Sequence, residues 1–169
     1  MNVLEWMPVL YAFWAMILDL TRSRISNRYL IVGWAAGAAA TMLYPFPAGQ
    51  LQFLGGALLP ILLLFLLFYF RMMGAGDIKL LSVLGGMLGL RASLSLLICS
   101  FVIGAVISIG ILTVRGSWFR RFRFFYRYVY NYKVTGVRIP YRPKVVSKDE
   151  LHFAIPVFIA VLLWKGGVF

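Results

Sequence analysis

Apolar residues fall into six long segments, separated by short polar or basic stretches. The segments cover roughly residues 3–20, 29–44, 51–70, 78–90, 92–114 and 151–168. Apolar runs of about 17–25 residues are typical of helices that cross a membrane, although the first, second and fourth segments are short for this. The fourth segment either crosses the membrane, enters and leaves it on the same side, or merges with the fifth segment across Arg91. The pattern predicts an all-α polytopic membrane protein, a bundle of about six transmembrane helices.

The composition supports this class. Of the 169 residues, 62% are hydrophobic and 13% are charged, with a mean hydropathy of +0.88, which is far more apolar than a soluble domain. The first 13 residues have no basic start and no small-residue cleavage site, so we expect them to belong to the first helix rather than to a removed signal peptide. A single cysteine, Cys99, and a single histidine, His152, exclude a disulfide framework within the chain and argue against a protein-only metal site.

The basic residues sort to one side if all six segments cross. Arg91 and Lys165 would lie on one side, and the other fifteen basic residues on the other. These fifteen are Arg22, Arg24, Arg28, Arg71, Lys79 and ten residues between Arg115 and Lys148. Because basic loops stay in the cytoplasm, we expect both termini outside and a multi-pass protein of the cell membrane.

A basic, aromatic loop occupies residues 115–150 of what we expect to be a single domain, residues 1–169. Its stretch WFRRFRFFYRYVYNYK, residues 118–133, suits a helix lying on an anionic membrane surface, and its alternating tyrosines equally suit a strand. Nucleic acid is bound by the same residue types, but a loop tethered between two membrane helices favours lipid headgroups as the partner. We therefore expect no nucleic acid among the partners.

Glycine pairs four residues apart occur in two of the segments. Gly33 pairs with Gly37, and Gly85 pairs with Gly89. This spacing lets two helices approach closely, although glycine is also simply common in membrane helices.

The chain has five acidic residues, and three of them have structural explanations. Glu5 lies at the outer end of the first helix, and the sequence SKDE, residues 147–150, matches a capping box. Asp19 and Asp77 remain. Taken singly, Asp77 can cap a helix and Asp19 can be a solvated helix end that pairs with Arg22.

Considered together, Asp19 and Asp77 suggest acid–base chemistry. Two membrane crossings separate them, so the predicted topology returns both to the cytoplasmic side. Two aspartates at one site do not both ionise easily, so one carries a proton while the other acts as a base. The helix dipoles predict that Asp77, at a helix amino end, is the ionised member and that Asp19, at a carboxyl end, is protonated.

Two motifs carry a family resemblance. GAGDIKLL, residues 74–81, closely resembles the G-x-G-D-x-K-L-L signature of type IV prepilin peptidases, the GxGD-type membrane aspartic proteases. DLTRSRISN, residues 19–27, resembles the first motif of that family, although Ser26 stands where proline is frequent, which puts the local turn in doubt. The chain has no paired C-x-x-C zinc motif, so it is similar to the short forms that process Flp-type pilins and to archaeal preflagellin peptidases, and methylation is not expected.

The resemblance implies a function and a site. It implies an aspartic endopeptidase that needs no cofactor and no metal and that cleaves the basic leader of prepilin-like substrates at the cytoplasmic face. Asp19 and Asp77 match the catalytic aspartates. Gly74 and Gly76 match the motif glycines. Because they lack side chains, their backbone can take positive φ and let an extended substrate approach Asp77 closely.

Lys79 and His152 each have a choice of roles. Lys79 either lowers the pKa of Asp77 or extends to lipid headgroups, and the second role is favoured. We expect His152 to be a satisfied helix-end histidine rather than a catalytic one. The rival functions are a small ion- or proton-coupled carrier and a non-catalytic pilus-assembly subunit.

Overall fold

All regular structure in the described part of the chain is helical. A computed structural model describes residues 6–22, 26–42, 48–115, 123 and 152–168. The helices there are α1 (Met7–Arg22), α2 (Asn27–Thr41), α3 (Ala48–Tyr69), α4 (Ala75–Leu88), α5 (Leu90–Arg115) and α6 (Ala154–Lys165). Each predicted apolar segment coincides with one helix, and the all-α class is confirmed.

The chain divides into two compact units. The first contains residues 1–103 and 152–169, and the second contains residues 104–151. All residues discussed below as site residues belong to the first unit. The basic loop at 115–150 and the capping box at 147–150 lie almost entirely outside the described residues, so the loop's structure and the single-domain organisation stay predictions.

Two of the described helices are long and apolar enough to cross a membrane. They are Gly49–Tyr69 within α3 and Leu90–Ile111 within α5. Helices α1 and α6 are apolar but shorter. The membrane character of the chain is therefore supported by two helices, and the six crossings with both termini outside stay a prediction.

Helix α4 lies at the centre of the first unit. It packs against α1, α2 and α3, and its buried residues run without interruption from Leu80 to Gly86. A helix that is apolar on all sides is stable only when neighbours surround it, which explains this position. The helix ends at Gly89, whose φ of 85° is readily adopted only by glycine. The fourth and fifth segments are therefore separate helices, and the break falls at Gly89 rather than at Arg91.

Glycines at the helix crossings allow this close packing. A Cβ atom on Gly85 would overlap the carbonyl oxygen of Gly56 in α3. Likewise, a Cβ on Gly33 would overlap the ring of Tyr11, and one on Gly37 would come within 2.8 Å of Phe53. Three of the four glycines in the predicted pairs therefore serve helix packing, and the fourth, Gly89, ends a helix.

A buried proline in α3 is compensated by a serine of α5. Pro60 has no N–H, so the carbonyl oxygen of Gly56, four residues earlier, loses its helical hydrogen-bond donor. The hydroxyl of Ser93 donates to this oxygen at 2.8 Å, and the hydroxyl of Ser82 in α4 donates to the neighbouring carbonyl of Ala57 at 2.8 Å. Because an unpaired backbone group is costly in an apolar interior, these two bonds fix α4 and α5 against α3.

Candidate active site

Asp19 lies in the last turn of α1 with most of its side chain buried. Only 13% of that side chain is exposed, and its Oδ2 atom is 3.4 Å from Nδ1 of His152. His152 directly precedes α6, which packs along α1. The possible partner Arg22 has no described side chain, so its pairing with Asp19 stays untested.

The chain that follows Asp19 turns into α2 at Ser26. The hydroxyl of Ser26 accepts a hydrogen bond from the N–H of Arg28 at 3.3 Å, which is the usual way in which serine caps a helix. Its φ is −64°, the value that a proline ring enforces. The backbone at Ser26 is therefore compatible with proline as well as with serine, whereas residues 23–25 of the turn lie outside the described residues.

Helix α3 ends in a sharp reversal that leads to Asp77. The N–H of Arg71 bonds to the carbonyl of Phe68, and that of Met72 to the carbonyl of Leu67, which is the Schellman pattern. Arg71 occupies the position where glycine is usual, and its φ is 54°. The reversal directs the chain into Gly74, which caps α4.

The two motif glycines have different surroundings, and neither has positive φ. Gly74 has a φ of −73° and Gly76 lies within α4, so neither uses the positive φ that glycine permits. A Cβ on Gly74 would lie 3.2 Å from Oδ2 of Asp77, whereas one on Gly76 would meet nothing within 4 Å. Gly74 thus leaves room for the Asp77 carboxylate, and Gly76 faces open space.

Asp77 occupies the first turn of α4, just ahead of the apolar segment 78–90. Burial, and after it the negative charge of Asp19, raise the pKa of Asp77 from 3.8 to about 6. The pair is therefore close enough to interact electrostatically. The helix dipoles predict the opposite, a lowered pKa for Asp77. A dipole contributes only about 0.3–1 kcal/mol at an exposed helix end, and the loss of water around a buried carboxylate outweighs it.

Lys79 connects the two motifs. Its Nζ donates a hydrogen bond to Oδ1 of Asn27 at 3.1 Å, and both side chains are exposed. Asn27 closes the first motif and Lys79 belongs to the second. Burial and Asp19 raise the pKa of Asp77, so a lowering effect of Lys79 does not dominate there. That Lys79 extends to lipid headgroups stays a prediction.

The contact of His152 with Asp19 is the feature of the site that sequence reasoning did not predict. It is distant in sequence from Asp19 and was expected to be an ordinary helix-end residue, yet it lies beside the Asp19 carboxylate. The available signal was that the single histidine of the chain lies at the start of the last apolar segment, residues 151–168, on the side where the predicted topology places both aspartates.

The described residues contain no group of three or more His, Cys, Asp or Glu side chains that could hold a metal ion. The arrangement comprises two interacting carboxyl groups, one of them with a raised pKa, and an imidazole beside the other. Such a set can exchange protons with a water molecule and a carbonyl group.

Two partly buried carboxyl groups that influence each other electrostatically define a candidate acid–base site. A family model described as the type IV leader peptidase family matches residues 6–109. The chain therefore belongs to the type IV leader peptidase family, and it is a peptidase. The matched part includes Asp19 and Asp77 but not His152. Neither the curated proteins nor the solved structures include a significant match.

Proposed function

We propose that the chain is an aspartic endopeptidase of the cell membrane that removes the basic leader of prepilin-like substrates. Asp19 and Asp77 are the proposed catalytic pair. The observation that carries the proposal is the influence of the Asp19 charge on Asp77, since the two family motifs thereby contribute to one electrostatic site. Membership of the leader peptidase family supplies the substrate class.

The proposed roles of the two acids follow from their surroundings. The raised pKa of Asp77 makes it the acid of the pair that more readily holds the shared proton, so in the active form of the pair Asp77 donates a hydrogen bond to the scissile carbonyl. Asp19 accepts a proton from water as the water oxygen attacks the carbonyl carbon. The proton then passes to the leaving amine as the C–N bond breaks, which yields a carboxylic acid and an amine and restores the pair.

The proposed location is the cytoplasmic face of the membrane. Fifteen of the seventeen basic residues sort to the side of Asp19 and Asp77 under the predicted topology, and such residues are retained in the cytoplasm. The basic loop at 115–150 is proposed to bind anionic headgroups rather than the leader, because the leader is itself basic and like charges repel.

Single replacements of the two acids test the proposal. Asp19→Asn and Asp77→Asn should each lower cleavage of a prepilin-like substrate by at least about 100-fold, since each acid has a separate role in proton transfer. Glu5→Gln, an acid with no proposed role, is the matched control and should cleave normally. Circular dichroism and thermal unfolding of each purified variant establish that it is folded. Substantial cleavage by either asparagine variant would refute the pair.

The motif glycines offer a second test, directed at the approach of the substrate. Gly76→Ala adds a methyl group in open space, so it should leave thermal stability unchanged or slightly raised. If the substrate backbone occupies that space, the same change should raise KM by several-fold. Gly74→Ala should instead lower kcat, because its methyl group would contact the Asp77 carboxylate. Unchanged kinetics in Gly76→Ala would remove Gly76 from the proposed substrate path.

A further inference from the structure

The contact between His152 and Asp19 has no part in the chemistry derived so far. Nδ1 of the imidazole lies 3.4 Å from Oδ2 of the carboxylate. This is longer than an ideal hydrogen bond, but bonds between catalytic groups are often long without substrate and shorten when it binds. The two side chains come from opposite ends of the sequence, so the fold has brought them together.

Packing holds His152 at this place. Its carbonyl oxygen accepts a hydrogen bond from the N–H of Ile155 at 3.0 Å, which closes the first turn leading into α6. The ring of the next residue, Phe153, packs on Phe101 of α5 at a centroid distance of 5.4 Å. Pro156 is fully buried in that turn. The first N–H groups of a helix have no helical acceptor, so the lack of an N–H in proline removes no hydrogen bond there. The turn that follows His152 thus fixes its backbone.

Asp19 requires such a partner. Its side chain is 13% exposed, and a carboxylate that has lost most of its water is costly unless a donor replaces that water. It also lies at the carboxyl end of α1, where the helix dipole disfavours negative charge. A ring N–H directed at Oδ2 offsets both effects, whether the imidazole is neutral or protonated.

We propose that His152 is a positioning residue for Asp19. Donation from Nδ1–H to Oδ2 fixes the orientation of the carboxylate and leaves Oδ1 to accept the proton of the attacking water. The assignment rests on the proposed function of Asp19 as the base. It adds a residue of the chain's last helical segment, outside the part that matches the leader peptidase family, to the machinery of the reaction.

Two replacements separate positioning from packing. His152→Asn keeps an N–H donor near the place of Nδ1 but loses ring volume, whereas His152→Phe keeps the ring and loses the donor. Groups that orient a functional side chain typically affect activity by about 10- to 100-fold. We expect His152→Phe to lower kcat by about that factor with KM within twofold of the wild type, and His152→Asn to stay within about threefold in kcat.

The opposite order, with His152→Phe active and His152→Asn inactive, would assign His152 to packing and overturn the proposal. Equal, normal activity of both variants would overturn it too. Thermal unfolding of each detergent-solubilised full chain accompanies the kinetics. The Asp19→Asn variant is assayed in parallel: if it cleaves substrate, the proposed function fails, whereas an inactive Asp19→Asn with a fully active His152→Phe refutes only the positioning role.

A measurement without substrate tests the contact directly. The chain has one histidine, so a protein prepared without a histidine tag gives a single imidazole signal in ¹⁵N NMR. We expect Asp19→Asn to change the Nδ1 resonance, because it replaces the acceptor, and Glu5→Gln to leave it unchanged. An unaltered resonance in Asp19→Asn would overturn the proposal even if His152→Phe fails to fold.

Discussion

Replacement of Asp77 by asparagine should make the protein more stable at neutral pH while it abolishes activity. The pKa of Asp77 is raised from 3.8 to about 6, first by burial and then by the charge of Asp19. A raised carboxyl pKa means that the folded chain holds the proton more tightly than the unfolded chain does. Folding is therefore penalised once the carboxyl is ionised, and asparagine removes the penalty while preserving the shape of the side chain.

The size of this stabilisation and the pH range over which it develops follow from the two pKa values of Asp77, 3.8 and about 6. A tenfold change in proton affinity corresponds to about 1.4 kcal/mol, so a rise from 3.8 to about 6 corresponds to about 3 kcal/mol. Partial solvent screening reduces the expected gain to about 1–2 kcal/mol. Well below pH 3.8 the carboxyl is protonated in both states and the penalty vanishes. It grows as the pH rises from about 4 to about 6 and is constant above that.

Thermal unfolding in detergent at several pH values between 4 and 8 measures this effect. For a chain of this length 1 kcal/mol corresponds to about 2–4 °C in Tm, so Asp77→Asn should exceed the wild type by about 2–8 °C at pH 7.5. The two proteins should unfold at nearly equal temperatures at pH 4, which serves as the internal control. A variant that is no more stable than the wild type at pH 7.5 would refute the burial argument.

Four further predictions concern the surroundings of the site. Lys79→Met and Asn27→Ala should each lower kcat/KM by about two- to tenfold. The double variant should lower it no further, because both changes remove the same Lys79–Asn27 hydrogen bond; additive losses would contradict this. Arg71→Gly should unfold with a free energy about 1 kcal/mol higher than Arg71→Ala, since both remove the charge but only glycine relieves the positive φ; the reverse order in denaturant titration would disprove it. Gly85→Ala should cost about 1–3 kcal/mol through overlap with α3, while Gly110→Ala, with nothing within 4 Å of the added Cβ, should be neutral or stabilising in the same assay. Cleavage should persist in excess EDTA, because carboxyl groups activate water without a Lewis acid, and a loss reversed by zinc would contradict that.

Much of the fold could be predicted because long apolar runs leave few alternatives to helices. The six segments gave the helices to within a few residues at most boundaries, since hydropathy reports burial in lipid or protein directly. The break at Gly89 could not be read in the same way. Several glycines occur in these helices, and only the three-dimensional path shows which of them carries a positive φ.

The candidate site also has features that local sequence predicts and features that depend on three-dimensional packing. The motif spacing around Asp19 and Asp77 was sufficient to identify the candidate pair, because the chain order of the helices determines which ends share a side. The balance of charge between the two acids was not available from sequence, since burial depends on the packing around Asp77 and outweighs the helix dipole. His152 was missed for a related reason: its neighbour Asp19 is distant in sequence, and no local pattern encodes that contact.

The pairing of Pro60 with Ser93 has a consequence for the order in which the protein assembles. Helix α3 is synthesised well before α5, yet the carbonyl of Gly56 receives its donor from Ser93 only after α5 has been made. In an apolar environment a bare carbonyl favours any helix that brings a hydroxyl to it. The proline therefore leaves one carbonyl of α3 without a donor until α5 packs against it, so this hydrogen bond favours α5 as the neighbour and fixes its register.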